Sequence, residues 1–509
     1  MPRPTYLLRV ASVLSCVAGC TAAHSVGDGA SAPYWPTDRW RTSTPEKQGI
    51  DSEALVGALD HIKTRNLAVH SLLVVRHGYV VLDAYFYPYT GETAHDVASV
   101  TKSITASLIG VAIEKGYLKS LDQPVLDLLP ERTAADPFQI KRRIAVKHLL
   151  SMSGFKSGSA PGEPELFAMI RSKDWVQFAL DLPMAARPGT EFAYCSCNTH
   201  VLSAILTRTT GMSTLNFARQ HLFGPLAITQ VFWPADPQGI THGWGDLQMH
   251  PHDMAKIGYL YLRGGRWGER QVLSPDWIAM ATQKQVPLPG GRGGYGYGWW
   301  ISSGEFSGMY AAKGRGGQRI IVWPKKDVVI VITAGGVNPD GLVHLLVRAV
   351  RSEETLRENP ASYRRLQEVI AEAARPPVPK PISSLPRTAL EISGKVYHLA
   401  PNKLGVKTSS LTFDTLKEAQ FSVSSERGDA VMAVGLDGVY RFTTGGVSNL
   451  PVAVKGFWAT DNTFVIDYNE VGRINHFTIR MTFDGPKVAV RVDDPTFYFT
   501  QTMTGRVQD

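Results

Sequence analysis

The apolar patterning predicts an α+β protein: one antiparallel sheet flanked by helices, interrupted by an all-helical insert, and followed by a separate all-β unit. Three observations carry this. Two strand-like runs, 72–75 and 79–86, are joined early in the chain through Arg76-His77-Gly78. Three more, 309–312, 318–323 and 328–334, lie far downstream with Gly-rich and charged turns between them. Beyond about residue 385 the texture changes: His476 to Phe483 alternates strictly, and turn pairs such as Asp437-Gly438 and Asp484-Gly485 recur, as in a small barrel or sandwich. The simplest assembly unites the early hairpin and the late strands in one sheet, with the helical middle set between them.

The elements follow in order. Residues 52–65 place Leu55, Leu59 and Ile62 on one helical face. A second helix carries Ile104, Leu108, Ile109, Val111 and Ile113; Gly110 interrupts it and Gly116 closes it. Residues 116–182 read as mainly helical, punctuated by Pro124, Pro130, Pro161 and Pro164. Pro188-Gly189 makes a turn that presents Tyr194 on a short extended piece, and 199–210 is helical again. A helix over 254–262 is entered through Pro251. Gly293 to Trp300 is a Gly-aromatic segment, and 342–350 closes the first domain. Residues 360–374 form a polar helix, and Pro376, Pro377, Pro379 and Pro381 stiffen a linker.

With 509 residues the chain is long enough for about two to four domains. Its 44% hydrophobic and 19% charged residues describe a globular protein with real cores. The net charge is +8, yet no basic run interleaved with aromatics occurs, which argues against a nucleic-acid partner. Arg3 and Arg9 precede a short apolar stretch ending in Val17-Ala18-Gly19-Cys20, too short to span a bilayer. It resembles a bacterial lipoprotein signal over 1–19, with Cys20 as the lipidated residue and 20–38 as a tether. An ordinary secretory signal cleaved slightly later is the alternative, and either implies export; the lipoprotein reading places the protein in the periplasm on a lipid anchor. Of the other cysteines, Cys195 and Cys197 are separated by one residue, a spacing that strains a disulfide. They are also too few for a structural zinc site, and no metal or organic cofactor is implied.

Ser99 and Lys102 stand one helical turn apart at the opening of the 104–113 run. A serine hydroxyl needs a base to become a nucleophile, and a desolvated amine beside it is one. A helix start also offers backbone N–H groups to a developing negative charge. The bland alternative is a capping serine with a surface lysine.

Three stretches together resemble the serine β-lactamase and penicillin-binding-protein superfamily: Ser99-Val100-Thr101-Lys102; Pro188-Gly189-Thr190 leading to Tyr194; and Lys313-Gly314-Arg315-Gly316-Gly317-Gln318 on a late strand. The look is nearest to class C-like esterases and 6-aminohexanoate-dimer hydrolases. Gly268 to Trp277 and Tyr295 to Trp299 support it. The resemblance covers roughly 40–350, within a β-lactamase/transpeptidase-like domain over 39–355; a helix and linker over 356–385 and a barrel-like domain over 386–509 follow. It implies that Ser99 attacks a carbonyl carbon, that Lys102 activates it, and that Tyr194 acts as base and then acid from a low-pKa site beside Lys102. The backbone N–H groups of Ser99 and Arg315 would hold the oxyanion, and Ser196, Lys313, Gly316 and Gly317 would touch substrate. Two departures stand out. Tyr194-Cys195-Ser196 replaces the usual Tyr-x-Asn, and counting back from Gly316-Gly317 lands on Ala311 and Ala312, with Lys313 displaced. Both lower the case for β-lactams or peptidoglycan and favour a small-molecule ester or linear amide. A β-lactamase or D,D-peptidase, or a non-catalytic envelope binding protein, are the competing readings.

Overall fold

The computed structural model describes residues 34–135, 140–155, 163–184, 186–382, 384–444, 450–496 and 499–507. The signal segment and Cys20 lie outside them. No helix among the described residues is long and apolar enough to cross a membrane.

Helix α1 (Ser52–Thr64) starts on Asp51, whose carboxylate accepts from the N–H groups of Glu53 and Ala54, and buries Leu55, Ala58, Leu59 and Ile62. The hairpin follows as β1 (Val69–Arg76) and β2 (Tyr79–Tyr85), turned by His77 and Gly78 at φ 51° and 80°. Helix α2 (Thr101–Glu114) runs through the middle of the domain with twelve of its residues buried. Its Gly110 is required: a Cβ there would sit 2.3 Å from the Trp277 ring. The helical insert ends in α3 (Ser196–Thr210), and α4 (Pro251–Leu262) returns the chain to the sheet. The late meander is β3 (Tyr310–Lys313), β4 (Arg319–Trp323) and β5 (Val328–Ala334).

These strands form one sheet whose centre runs β2-β1-β5-β4-β3. Val75 pairs with Val329 and Ile320 with Val331, so the two ends of the domain meet in antiparallel register. The one parallel exception is the edge strand Arg41–Thr42 on β2. Every residue of β1 and β5 is buried, because helices cover both faces. One face packs α2 and α4 against Leu73, Val75, Ile320 and Val331; the other packs α1 and α5 (Asp340–Ala349) against Leu72, Val74, Ile321 and Ile330. Helix α6 (Pro360–Ala373), expected as a polar helix outside the domain, instead adds Leu366 and Val369 to that second face.

Among the described residues, the C-terminal unit is a ten-stranded sheet between Val396 and Val507, nine of whose strands close into a barrel while Arg441–Thr443 pairs alongside. Its neighbours pair antiparallel, and a parallel contact between Gly435 and Lys455 closes the ring. Phe421, Phe464, Ile466, Met481 and Phe483 fill its interior.

Candidate active site

Ser99 sits in a tight turn (Ala98–Val100) that feeds directly into α2. Ala98 holds φ +47°, a left-handed conformation costly for a residue with a side chain. Its N–H donates to the Asp96 carboxylate at 2.8 Å, which fixes the turn and with it the direction of Ser99. One helical turn on, Lys102 is 1% exposed, and its Nζ lies 2.8 Å from Ser99 Oγ. The spacing thus delivers what the sequence predicted, with both side chains on one face.

Two further contacts anchor the amine: Ser196 Oγ at 2.9 Å and the Trp244 carbonyl at 3.1 Å. Ser196 opens α3 and is itself held twice by Glu163, through its N–H at 2.7 Å and its hydroxyl at 2.9 Å. A carboxylate only accepts, so the Ser196 hydroxyl spends its single proton on Glu163 and offers a lone pair to Lys102. The Trp244 carbonyl likewise only accepts. A neutral Lys102 amine has two N–H bonds and one lone pair. With both N–H bonds committed to Ser196 and Trp244, the lone pair faces Ser99. Burial pushes the Lys102 pKa down to about 8, with Glu163 pulling against it, so the neutral form is accessible near neutral pH.

Tyr194 closes the group. Its phenol interacts with the Ser99 hydroxyl, and the Lys102 ammonium lies 4.9 Å from its ring centre. The expected low-pKa phenol is not what forms here. Burial raises the Tyr194 pKa well above its ordinary value, and the Glu163 charge raises it further. The desolvation that lets Lys102 be neutral makes Tyr194 a weaker acid, so the phenol rests protonated.

Gly314 packs against the turn that carries Ser99; a Cβ there would lie 2.4 Å from the Val97 carbonyl oxygen. The Gly314 N–H donates to the Gln318 carbonyl at 2.9 Å, which closes the Arg315–Gly317 turn. The neighbouring strand Trp300–Ile301 pairs with β3 at Tyr310 and Ala311. The other expected substrate contacts lie elsewhere. Ser196 is enclosed between Lys102 and Glu163, Gly317 is buried against Val337, and Gly316 lies against Ile474 of the barrel. Lys313 lies beside Trp300, 5.5 Å from its ring centre. Trp300 in turn stacks near Tyr194 and Phe192, with Tyr295 edge-on behind it. Among the described residues no cluster of His, Cys, Asp or Glu is arranged to hold a metal ion, and Cys195 and Cys197 are buried free thiols.

Glu163 and Trp244 escaped the sequence reading. Glu163 carries no motif; it opens a short helix (Pro164–Arg171) at φ +51°, and its importance comes only from the tertiary contact with Ser196. Trp244 contributes a backbone carbonyl, which no side-chain pattern reports.

A sequence model of the beta-lactamase family matches residues 55–352. The 6-aminohexanoate-dimer hydrolase of Paenarthrobacter ureafaciens is 24% identical over 331 residues, 60% of this chain and 83% of that one. The beta-lactamase of Escherichia coli strain K12 is 26% identical over 160 residues, 31% of this chain and 40% of that one. Among solved structures, a Bacillus anthracis protein provisionally assigned as a 6-aminohexanoate-dimer hydrolase shares the fold with a TM-score of 0.53 at 19% identity, over 63% of this chain and 89% of its own. EstCE1, described as a hydrolase with promiscuous acyltransferase activity, does so with a TM-score of 0.50 at 18% identity, over 59% and 99%. The match to the family model spans more than half the polypeptide and encloses Ser99, Lys102 and Tyr194: the chain belongs to the beta-lactamase family of serine hydrolases.

Proposed function

We propose that this protein hydrolyses a small ester or linear amide through an acyl-enzyme on Ser99. The observation that carries the reading is the wiring of Lys102, whose Nζ lies 2.8 Å from Ser99 Oγ and is held by Ser196 Oγ and the Trp244 carbonyl, so that in the neutral amine the lone pair is left for Ser99. Lys102 takes the Ser99 proton as Oγ bonds to the carbonyl carbon. The oxyanion forms against the backbone N–H groups of Ser99 and Arg315. The protonated Tyr194 phenol gives its proton to the leaving alcohol or amine and takes back from the neighbouring Lys102 ammonium the proton that Ser99 gave up. Water then attacks the acyl-enzyme by the reverse proton path, releasing the acid and restoring Ser99.

The cleft wall supports the substrate class. Phe192, Tyr194 and Trp300 present aromatic surface suited to an unbranched apolar chain. Beyond Trp300, the half-buried Lys313 has only the longer-range field of Asp340 for a counter-charge, so an anionic end on the substrate would find an amine to pair with there. No asparagine follows Tyr194 by two residues, which weighs against β-lactams. The test runs in parallel: labelling by a fluorophosphonate, turnover of a short p-nitrophenyl ester, and turnover of a chromogenic cephalosporin, each in wild type and Ser99→Ala. Labelling and ester turnover that vanish in Ser99→Ala, without cephalosporin turnover, support the reading; an unlabelled wild type sinks it in favour of a binding protein.

The same proposal places the enzyme outside the cytoplasm on a lipid at Cys20. Detergent-phase partitioning that is lost in Cys20→Ser checks it.

A further inference from the structure

Two backbone turns meet at the Ser99 cleft, residues 96–99 and Arg315–Gly317, and both are gripped by loops of the C-terminal barrel. The Arg315 guanidinium donates to Thr496 Oγ1 and to Asn475 Oδ1, each at 3.2 Å. These acceptors are not casual. Asp494, 2% exposed, accepts from the Thr496 N–H at 2.9 Å, from its hydroxyl at 2.6 Å, and from the Asn475 amide. With the Thr496 proton and the Asn475 NH2 group both committed to Asp494, the remaining lone pairs on each are turned toward Arg315. One buried carboxylate thus orients two neutral acceptors onto one cation.

The barrel also closes on the turn sterically. Gly316 lies at φ +79°, and a Cβ there would meet Ile474 Cγ2 at 2.3 Å, so Ile474 fills the space that a side chain would take. Ile474 is itself fully buried. On the other side of the cleft, the Asp96 N–H donates to the Gly472 carbonyl at 2.7 Å, while the Asp96 carboxylate holds Ala98. A single barrel loop, 471–475, therefore reaches both turns.

We propose that the barrel is a positioning element of the active site, in which Asn475 and Thr496, braced by Asp494, set the Arg315 turn while Gly472 sets the turn carrying Ser99. An oxyanion site built from two backbone N–H groups works only if both point at one spot, and displacement of about 1 Å costs on the order of a hundredfold in rate. The barrel supplies that alignment without touching substrate. Its catalytic consequence rests on the hydrolase reading above; the mechanical grip does not.

The test uses the full chain and the pair Asn475→Ala/Thr496→Val, with Thr496→Val and Thr496→Ser as single variants. Two readouts are taken: p-nitrophenyl ester kinetics, and hydrogen–deuterium exchange of peptides covering 96–100 and 311–318. The double variant is expected to lose about ten- to a hundredfold in kcat with KM within about twofold, and to exchange faster at both turns. Thr496→Ser, which keeps the hydroxyl, is expected to restore kcat where Thr496→Val does not. Unchanged exchange at both turns in a folded double variant overturns the grip. Faster exchange with unchanged kcat, or Thr496→Ser no better than Thr496→Val, overturns the catalytic role. A wild type without labelling or turnover sinks the hydrolase reading and the catalytic role with it, while exchange still decides the grip on its own.

Discussion

Glu163 holds Ser196 by two hydrogen bonds, 2.7 Å to its N–H and 2.9 Å to its hydroxyl, and so decides which way the Ser196 lone pair faces. Through that hydroxyl a carboxylate outside α2 is coupled to the amine at Lys102. The coupling is both geometric and electrostatic.

Replacement of Glu163 by glutamine removes the negative charge that favours the Lys102 ammonium, while the amide oxygen can still accept from the Ser196 N–H. The Lys102 pKa is then expected to fall below about 8, and the acidic limb of kcat/KM to move to lower pH. A pH–rate profile checks this; a limb that stays put, or moves upward, contradicts the coupling.

The wild-type profile follows from the same amine. In the proposed mechanism Lys102 serves as base only when neutral. Because burial holds its folded pKa at about 8, below the ordinary lysine value of 10.5, kcat/KM is expected to rise about tenfold per pH unit below pH 8 and to level above it. Arginine at this position stays protonated throughout. Lys102→Arg should therefore lose at least about a hundredfold, with no recovery at alkaline pH.

Lys313 makes a prediction about substrate rather than rate. Esters bearing a free terminal carboxylate should outperform their neutral counterparts in wild type. Lys313→Met should erase the preference, lowering kcat/KM for the anionic ester alone by about ten- to a hundredfold, the worth of one charge-assisted hydrogen bond in a partly dry site. Equal losses on both esters would mean that Lys313 merely supports Trp300.

What was legible in the sequence divides along a physical line. Ser99 and Lys102 are neighbours on one helix, so their meeting is written in a spacing of three. The sheet was legible because apolar runs with turn residues between them announce strands wherever they fall. Glu163 and the Arg315–Asn475 contact were not, since each joins segments far apart in the chain through loops that carry no periodicity; the latter spans 160 positions. The Tyr194 phenol was placed beside Lys102 in advance, but its ionisation was not. Burial set it, and burial is a property of the assembled cleft.

Gly110 offers a test in which two effects oppose and magnitude decides. Alanine in place of an interior helical glycine ordinarily adds about 1 kcal/mol to helix stability. At residue 110, however, the new Cβ would lie 2.3 Å from one atom of the Trp277 indole and 2.7 Å from two more. The Trp277 side chain is buried, and its Nε1 is fixed to the Tyr261 hydroxyl at 3.2 Å, so the ring has no room to retreat. Overpacking of this kind costs about 1–3 kcal/mol, and displacing Tyr261 disturbs its 2.7 Å contact with Ser107 on the same helix. The steric term wins: Gly110→Ala is expected to lower the denaturation midpoint despite the better helix former. Because Trp277 lies under α2, the same variant should slow ester turnover. A midpoint that rises would show that the ring can yield and that α2 is held from its other contacts alone.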